Sequence, residues 1–211
     1  TEYFVENEED GDYPVYGGKN IWLFAYDTEI EDLEEFEYWG IDEESNPEKS
    51  AKRRVREKNQ KKLKKQIYSK FDGSGSQIGF VNDLLETHRG SPLKLEDVLL
   101  DCTTHRIGFR DVSNSTNERS MVAAALPTGA VCHNKCPTIR PYEINPERGD
   151  LAKETLHDMY ERIFTDEELF LALGFLNSIT FDYIVRTKFD TTMSVNTIEE
   201  SQIPRLTKGD D

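Results

Sequence analysis

Residues 101–127 read DCTTHRIGFRDVSNSTNERSMVAAALP, and the rest of the chain is arranged by how this stretch folds. Residues 102–112 alternate and then turn apolar, while residues 121–126 are continuously apolar, so both ends have the period and length of buried strands. Between them lies SNSTNER, residues 113–119, whose Ser, Thr and Asn side chains bond to nearby backbone and favour a tight polar connection. The expectation is a β-hairpin with Arg110, Asp111, Glu118 and Arg119 grouped at its root.

Composition bounds what such a hairpin can belong to. The 211 residues suffice for one domain, or one domain with an appendage, but 36% hydrophobic against 32% charged residues implies long solvated segments beside a modest core. No apolar run approaches the roughly 20 residues of a bilayer span, and no basic and apolar leader is visible, so no membrane partner is expected. The first residue is Thr1 rather than Met, which fits a fragment of a longer protein. Cys102, Cys132 and Cys136 are too few for a disulfide framework, which points to a reducing cytoplasm. The spacing Cys132, His133, Cys136 invites a zinc reading, but no fourth ligand stands nearby, and two half-buried cysteines in or beside a strand are the plainer expectation.

A formal net charge of -15 argues against nucleic acid only if the charge is uniform. It is not. Residues 49–70 hold eleven Lys and Arg against one acid, Glu57, which leaves fifteen basic and forty acidic residues elsewhere. Residues 48–71 lack Gly and Pro and are rich in Lys, Arg, Gln and Glu, so one long helix is expected there, with Val55, Leu63 and Ile67 as a narrow apolar stripe. Along such a helix Lys52, Arg53, Arg56, Lys61, Lys62, Lys64 and Lys65 are candidates for phosphate contact, which gives affinity without reading sequence. The alternative is a charged surface helix or coiled-coil arm.

Elsewhere, residues 20–26 form an apolar and aromatic run expected to be a strand, in which Trp22, Phe24 and Tyr26 serve the core or stack on bases. FDGSGS, residues 71–76, has the letters of a nucleotide-binding turn but follows a helix rather than a strand, and is expected to be a flexible linker. A short helix over 78–88 closes at Gly90, and residues 93–100 form a possible strand edge. A helix is expected over 145–163 and a second, opened by the capping box Thr165 to Glu168, over 166–188, the pair making the scaffold. Residues 190–196 are expected to turn and 198–206 to run as an extended tail.

RIGFRDVSNSTNERSMVAAALP resembles a block in the C-terminal target-recognition part of large single-chain DNA adenine-N6 methyltransferases, of the type IIG restriction-modification and BREX phage-defence kind. YPVYGGKNIWLFAYD upstream, with LGFLNSITFDYIVRTK and ESQIPRL downstream, resembles the same family in the same order. The resemblance implies a DNA-specificity module whose catalytic methyltransferase domain lies N-terminal in the parent chain. Double-stranded DNA is the implied partner, and S-adenosylmethionine is the cofactor of the parent, not of this chain. Members that read different sites share the central block, so Arg110 and Asp111 are as fit to brace the hairpin as to read a base.

Catalytic signatures are missing from the sequence itself. Adenine methylation uses Asn-Pro-Pro and an aromatic to hold the flipped base, and both Asn-Pro pairs, at Asn46 and Asn145, are followed by Glu. No Glu has Lys two places on, as a common nuclease site would need, and no Walker loop or Gly-x-Ser-x-Gly elbow occurs. The expectation is therefore an α+β domain over residues 1–211. A mixed or antiparallel sheet is built around the central hairpin with C-terminal helices packed on it, and residues 48–91 form a basic helical insertion with a flexible linker. Arg110, Asn114, Asn117 and Arg119 are placed nearest the bases, since Arg chelates guanine and Asn chelates adenine in the major groove. A protein-docking module and an RNA-binding protein are the rival expectations.

Overall fold

A computed structural model describes residues 3–25, 33–113, 117–188 and 191–201. The fold is α+β with small sheets. In chain order come β1 (Phe4–Val5), β2 (Tyr13–Tyr16), β3 (Tyr38–Gly40), α1 (Ala51–Lys70) and α2 (Gln77–Arg89). Then follow β4 (Arg106–Phe109), β5 (Ala123–Leu126), β6 (Val131–Cys132), β7 (Tyr142–Ile144) and β8 (Tyr160–Arg162). The last helices are α3 (Asp166–Leu176), α4 (Ile179–Arg186) and α5 (Val195–Glu199). The backbone gathers into two compact units, each drawn from three stretches of chain.

The first unit takes Thr1–Pro14, Tyr38–Thr104 and Arg140–Phe164. Its core is Leu63 and Ile67 of α1, Val81 and Leu85 of α2, and Val98, Leu151, Leu156 and Met159. α1 forms a wall of this core through Leu63 and Ile67, and Val55, the third residue of the expected stripe, is exposed. Ser50 caps α1 and Ser76 caps α2, each hydroxyl accepting the amide three residues on. Residues 71–76 are a helix-to-helix connection rather than a loose linker: the Gly73 amide bonds Tyr68 O at 2.9 Å and the Tyr68 hydroxyl bonds Gly75 O at 3.2 Å. Gly90, with φ of 74°, ends α2 in the left-handed conformation that costs glycine nothing. Residues 93–100 are not a strand; they wrap a buried ion pair in which Arg89 clamps Asp97 at 2.7 and 2.6 Å while also donating to Pro92 O.

The helix expected over 145–163 does not form. Residues 142–144 and 160–162 pair antiparallel instead, and the intervening chain makes two 3-10 turns that send Leu151, Leu156 and Met159 into the core. Of the side chains at helical spacing, Leu156 and Met159 are buried by the short turns and Tyr160 packs against them, but Ile163 is exposed, and Gly149 weakens a helix here.

The second unit takes Val15–Glu37, His105–Ile139 and Thr165–Asp211, and contains the central hairpin. β4 and β5 pair antiparallel in the register Arg106 to Leu126 through Phe109 to Ala123, as the alternation requires. On the other edge of β4, Gly108 bridges Thr138. Gly108 is required there: a Cβ would stand 2.6 Å from the Leu126 side chain and 3.1 Å from Cys136 Sγ. Val15 and Tyr16 run parallel to Val131 and Cys132. Residues 20–25 are not a strand but a 3-10 turn followed by a tight reversal, with Trp22 bridging Ala25 and Phe24 at φ of 65°. Tyr26 lies outside the described residues.

The helix expected over 166–188 starts where its capping box says, with Glu168 N on Thr165 Oγ1 and Thr165 N on Glu168 Oε2. It is then broken at Asn177 and Ser178 into α3 and α4, bent by 59°. The break has a tertiary cause. Asn177 is buried, and its amide donates to Ala123 O at 2.8 Å while its carbonyl accepts Ala123 N at 3.0 Å, so a side chain supplies the missing strand partner of β5. Residues 195–199, expected to be turn and tail, form α5, capped by Ser194; residues 202–206 lie outside the described residues.

Candidate nucleic-acid interface

The two halves of α1 treat their cations differently. Toward its start, Lys52 bonds Asp42 at 2.7 Å and lies over the Tyr13 ring, and Arg56 bonds Glu43 at 3.0 Å and Val98 O at 2.8 Å. Arg53 pairs with Glu57 one turn on, and Arg54 bonds the Tyr3 hydroxyl. Beyond Glu57 the acids stop. Among the described residues Lys58, Lys61, Lys62, Lys64 and Lys65 have no carboxylate partner, and all but the half-buried Lys64 are exposed.

Helical geometry sorts these lysines. At 3.6 residues per turn, Arg54, Lys58, Lys61 and Lys65 fall within ~60° of arc, opposite the buried Leu63 and Ile67, and their row spans roughly 16 Å. Lys62 flanks the row, and burial, followed by the positive charges of Arg140 and Lys58, holds its ammonium below the ordinary value. Arg140 itself has Asp101 at 3.5 Å. Cations crowded against one another in an acidic chain are a local potential that an anion relieves.

The residues expected to read bases are arranged otherwise. Arg110 donates from Nε and Nη2 to Ile21 O, at 3.2 and 2.8 Å, and lies over the Trp22 ring at 4.8 Å. Burial lowers its proton affinity below the ordinary arginine value. The Arg110–Asp111 pair does not form; Asp111 has Lys135 at 3.7 Å. Arg119 donates to Asn177 O and has Asp182 Oδ2 at 3.9 Å. Both guanidinia are therefore committed to protein groups. Asn117 is exposed, and Asn114 lies outside the described residues.

What sequence reasoning missed is the anchor behind Arg119. Asp182 is buried on α4 and accepts Ser120 N at 2.8 Å, Met121 N at 2.6 Å and Arg186 Nε at 2.8 Å, and Arg186 also reaches Glu118 O. Burial pushes the Asp182 carboxyl up, but the Met121 and Ser120 amides and the Arg186 guanidinium outweigh it and hold the group below the usual carboxylate range. An Asp on the inner face of a predicted helix was the available signal. Trp22 is covered by Arg110, whereas Phe24 stands 57% exposed on its reversal.

Among the described residues no three His, Cys, Asp or Glu side chains are grouped to hold a metal ion, and no single helix is long and apolar enough to cross a membrane. The Gly-rich residues 71–76 join two helices, and so lack the strand-to-helix turn that aims backbone amides at a nucleotide. No family model matches the chain, and comparisons with curated proteins and with solved structures return no match.

Proposed function

We propose that this chain is a DNA-binding and recognition module of a larger DNA adenine-N6 methyltransferase, serving restriction-modification or phage defence, and that α1 holds the duplex by its backbone. The carrying observation is the outward row of Lys58, Lys61 and Lys65, with Lys62 beside it, none in an ion pair among the described residues, in a chain of net charge -15. A second support is that the described parts of the segments resembling such methyltransferases, from Val15 on, fall in one unit. Arg110 of the central block binds Ile21 of the first segment, and Ser120, Met121 and Ala123 bind Asp182 and Asn177 of the third. In this reading Arg110 and Arg119 shape the recognition surface, the exposed Asn117 is offered to bases, and Asn114, outside the described residues, is the second candidate from the sequence. S-adenosylmethionine and the reaction belong to the N-terminal domain of the parent.

The test is to replace Lys58, Lys61, Lys62 and Lys65 with Gln and titrate the chain with a duplex carrying the target site and with a random duplex at several salt concentrations. Both affinities should fall by similar factors, and the slope of log affinity on log salt should drop by about 0.9 for each lost contact. An unchanged slope removes α1 from DNA. It favours instead docking on a protein, for which the exposed Phe170, Leu171, Ile179 and Tyr183 of α3 and α4 offer an apolar face.

A further inference from the structure

Arg106 opens β4 and is 4% exposed, yet a guanidinium keeps its charge wherever it is placed. Its Nη2 donates to Ala130 O at 2.5 Å and lies 3.6 Å from Cys132 Sγ. Its Nε and Nη1 are buried without a hydrogen-bond partner, and no described carboxylate pairs with it. A buried cation needs a counter-ion, and of its described partners only the Cys132 sulfur can supply a negative charge. Cys136 completes the site: the turn after β6, closed by Cys136 N on His133 O at 2.9 Å, brings its thiol to the Cys132 sulfur, and Cys136 is itself buried.

We propose that Cys132 rests as a thiolate held by Arg106 and the Cys136 thiol, and that the two cysteines form a peroxide-reactive dithiol site, Cys132 attacking and Cys136 resolving. The electrostatics agree. Donation from Cys136 and the charge of Arg106 hold the Cys132 thiol below its ordinary value against the effect of burial, while the same hydrogen bond and burial push Cys136 up. Cys132 is half-buried and Cys136 buried, so Cys132 is the more exposed of the two cysteines. The thiolate attacks the distal peroxide oxygen; an S–O bond forms, the O–O bond breaks, and the departing alkoxide or hydroxide takes a proton from water. The Cys136 sulfur then attacks the sulfenic acid at Cys132, the S–S bond forms, and the hydroxyl leaves as water with the Cys136 proton. The peroxide gains two electrons and the two thiols lose them. Oxidation removes the counter-ion of Arg106, so it also loosens β4. This site is independent of the DNA reading.

The experiment follows iodoacetamide alkylation of the full chain against pH, mapped by peptide mass, with Cys102 as internal reference. The Cys132 profile should lie at lower pH than that of Cys102, each unit of displacement being tenfold in thiolate fraction. One equivalent of hydrogen peroxide should then link Cys132 to Cys136, and Cys136→Ser should instead accumulate a sulfenic acid at Cys132 that a dimedone reagent traps. Arg106→Gln should return the profile toward that of Cys102. Because that change empties a buried site and risks the fold, the wild-type profile and Cys136→Ser carry the decision. A Cys132 profile superimposed on that of Cys102, or peroxide that leaves the pair unlinked, overturns the proposal.

Discussion

Asp182 concentrates what single residues do in this protein. One buried carboxylate terminates two amides at the hairpin root and one guanidinium, so Asp182→Ala removes the shared acceptor of Ser120 N, Met121 N and Arg186 Nε at once. The expected cost is about 3 kcal/mol, read from urea unfolding at neutral pH. Its pH dependence has a definite sign. A carboxyl whose folded value is depressed contributes stability that is complete above its unfolded value, near 4 for an ordinary Asp, and that is lost as pH falls through the lower folded value. Acid unfolding curves of wild type and Asp182→Ala should therefore converge as pH drops below about 4; parallel curves would mean that the carboxylate is not what the amides bind. The residue scale is also where the sequence was least legible. Arg110 and Arg119 are of a type that matches guanine, and nothing in their neighbours along the chain announces Ile21 O or Asn177 O as acceptors.

Each of the five α-helices among the described residues begins at a Ser or Thr whose hydroxyl accepts an amide, and of these starts the Thr165 capping box was the one legible in the sequence, because there the cap and its Glu168 partner stand three residues apart. Thr165→Ala should cost about 1 kcal/mol, measured as a lowered melting temperature, and an unchanged melt would put the start of α3 elsewhere. Helix ends were harder to read. The break at Asn177 is set by β5 across the unit, and Asn177→Ala should cost about 1–2 kcal/mol by orphaning Ala123 N, whereas Ala123 O keeps the Phe24 amide at 3.0 Å. Hydrogen exchange at the Ala123 amide checks this, since it should accelerate in the variant far more than exchange at Ile107. Over 145–163 the apolar period picked out the core residues Leu156 and Met159 in the wrong element, and with them Ile163, which is exposed. A spacing of three or four is met by a 3-10 turn as well as by an α-helix, and the pairing of β7 with β8 decides between them.

Across the whole molecule the net charge and the basic helix pull salt in opposite directions. Forty-one acids against 26 bases repel one another, so raising salt from about 0.1 to 1 M, which shortens the screening length from roughly 10 to 3 Å, should raise the melting temperature. The same change should abolish DNA binding by α1, because released counterions no longer favour it. Measuring both on one preparation separates a loss of binding from a loss of fold; a melting temperature that falls with salt would show that attraction, not repulsion, dominates the charge pattern. The sequence by itself determined what depends on neighbours in the chain: the β4–β5 alternation, the basic helix with Leu63 and Ile67 inward, the Gly90 stop and the Thr165 capping box. Tertiary structure alone decided the division of the chain into two interleaved units, the bend at Asn177, the inward commitment of Arg110 and Arg119, and the burial of Arg106 beside Cys132. The reason is physical: period and capping are satisfied within a few residues, whereas a buried polar group takes whichever partner the packed chain brings within about 3 Å, however distant in sequence.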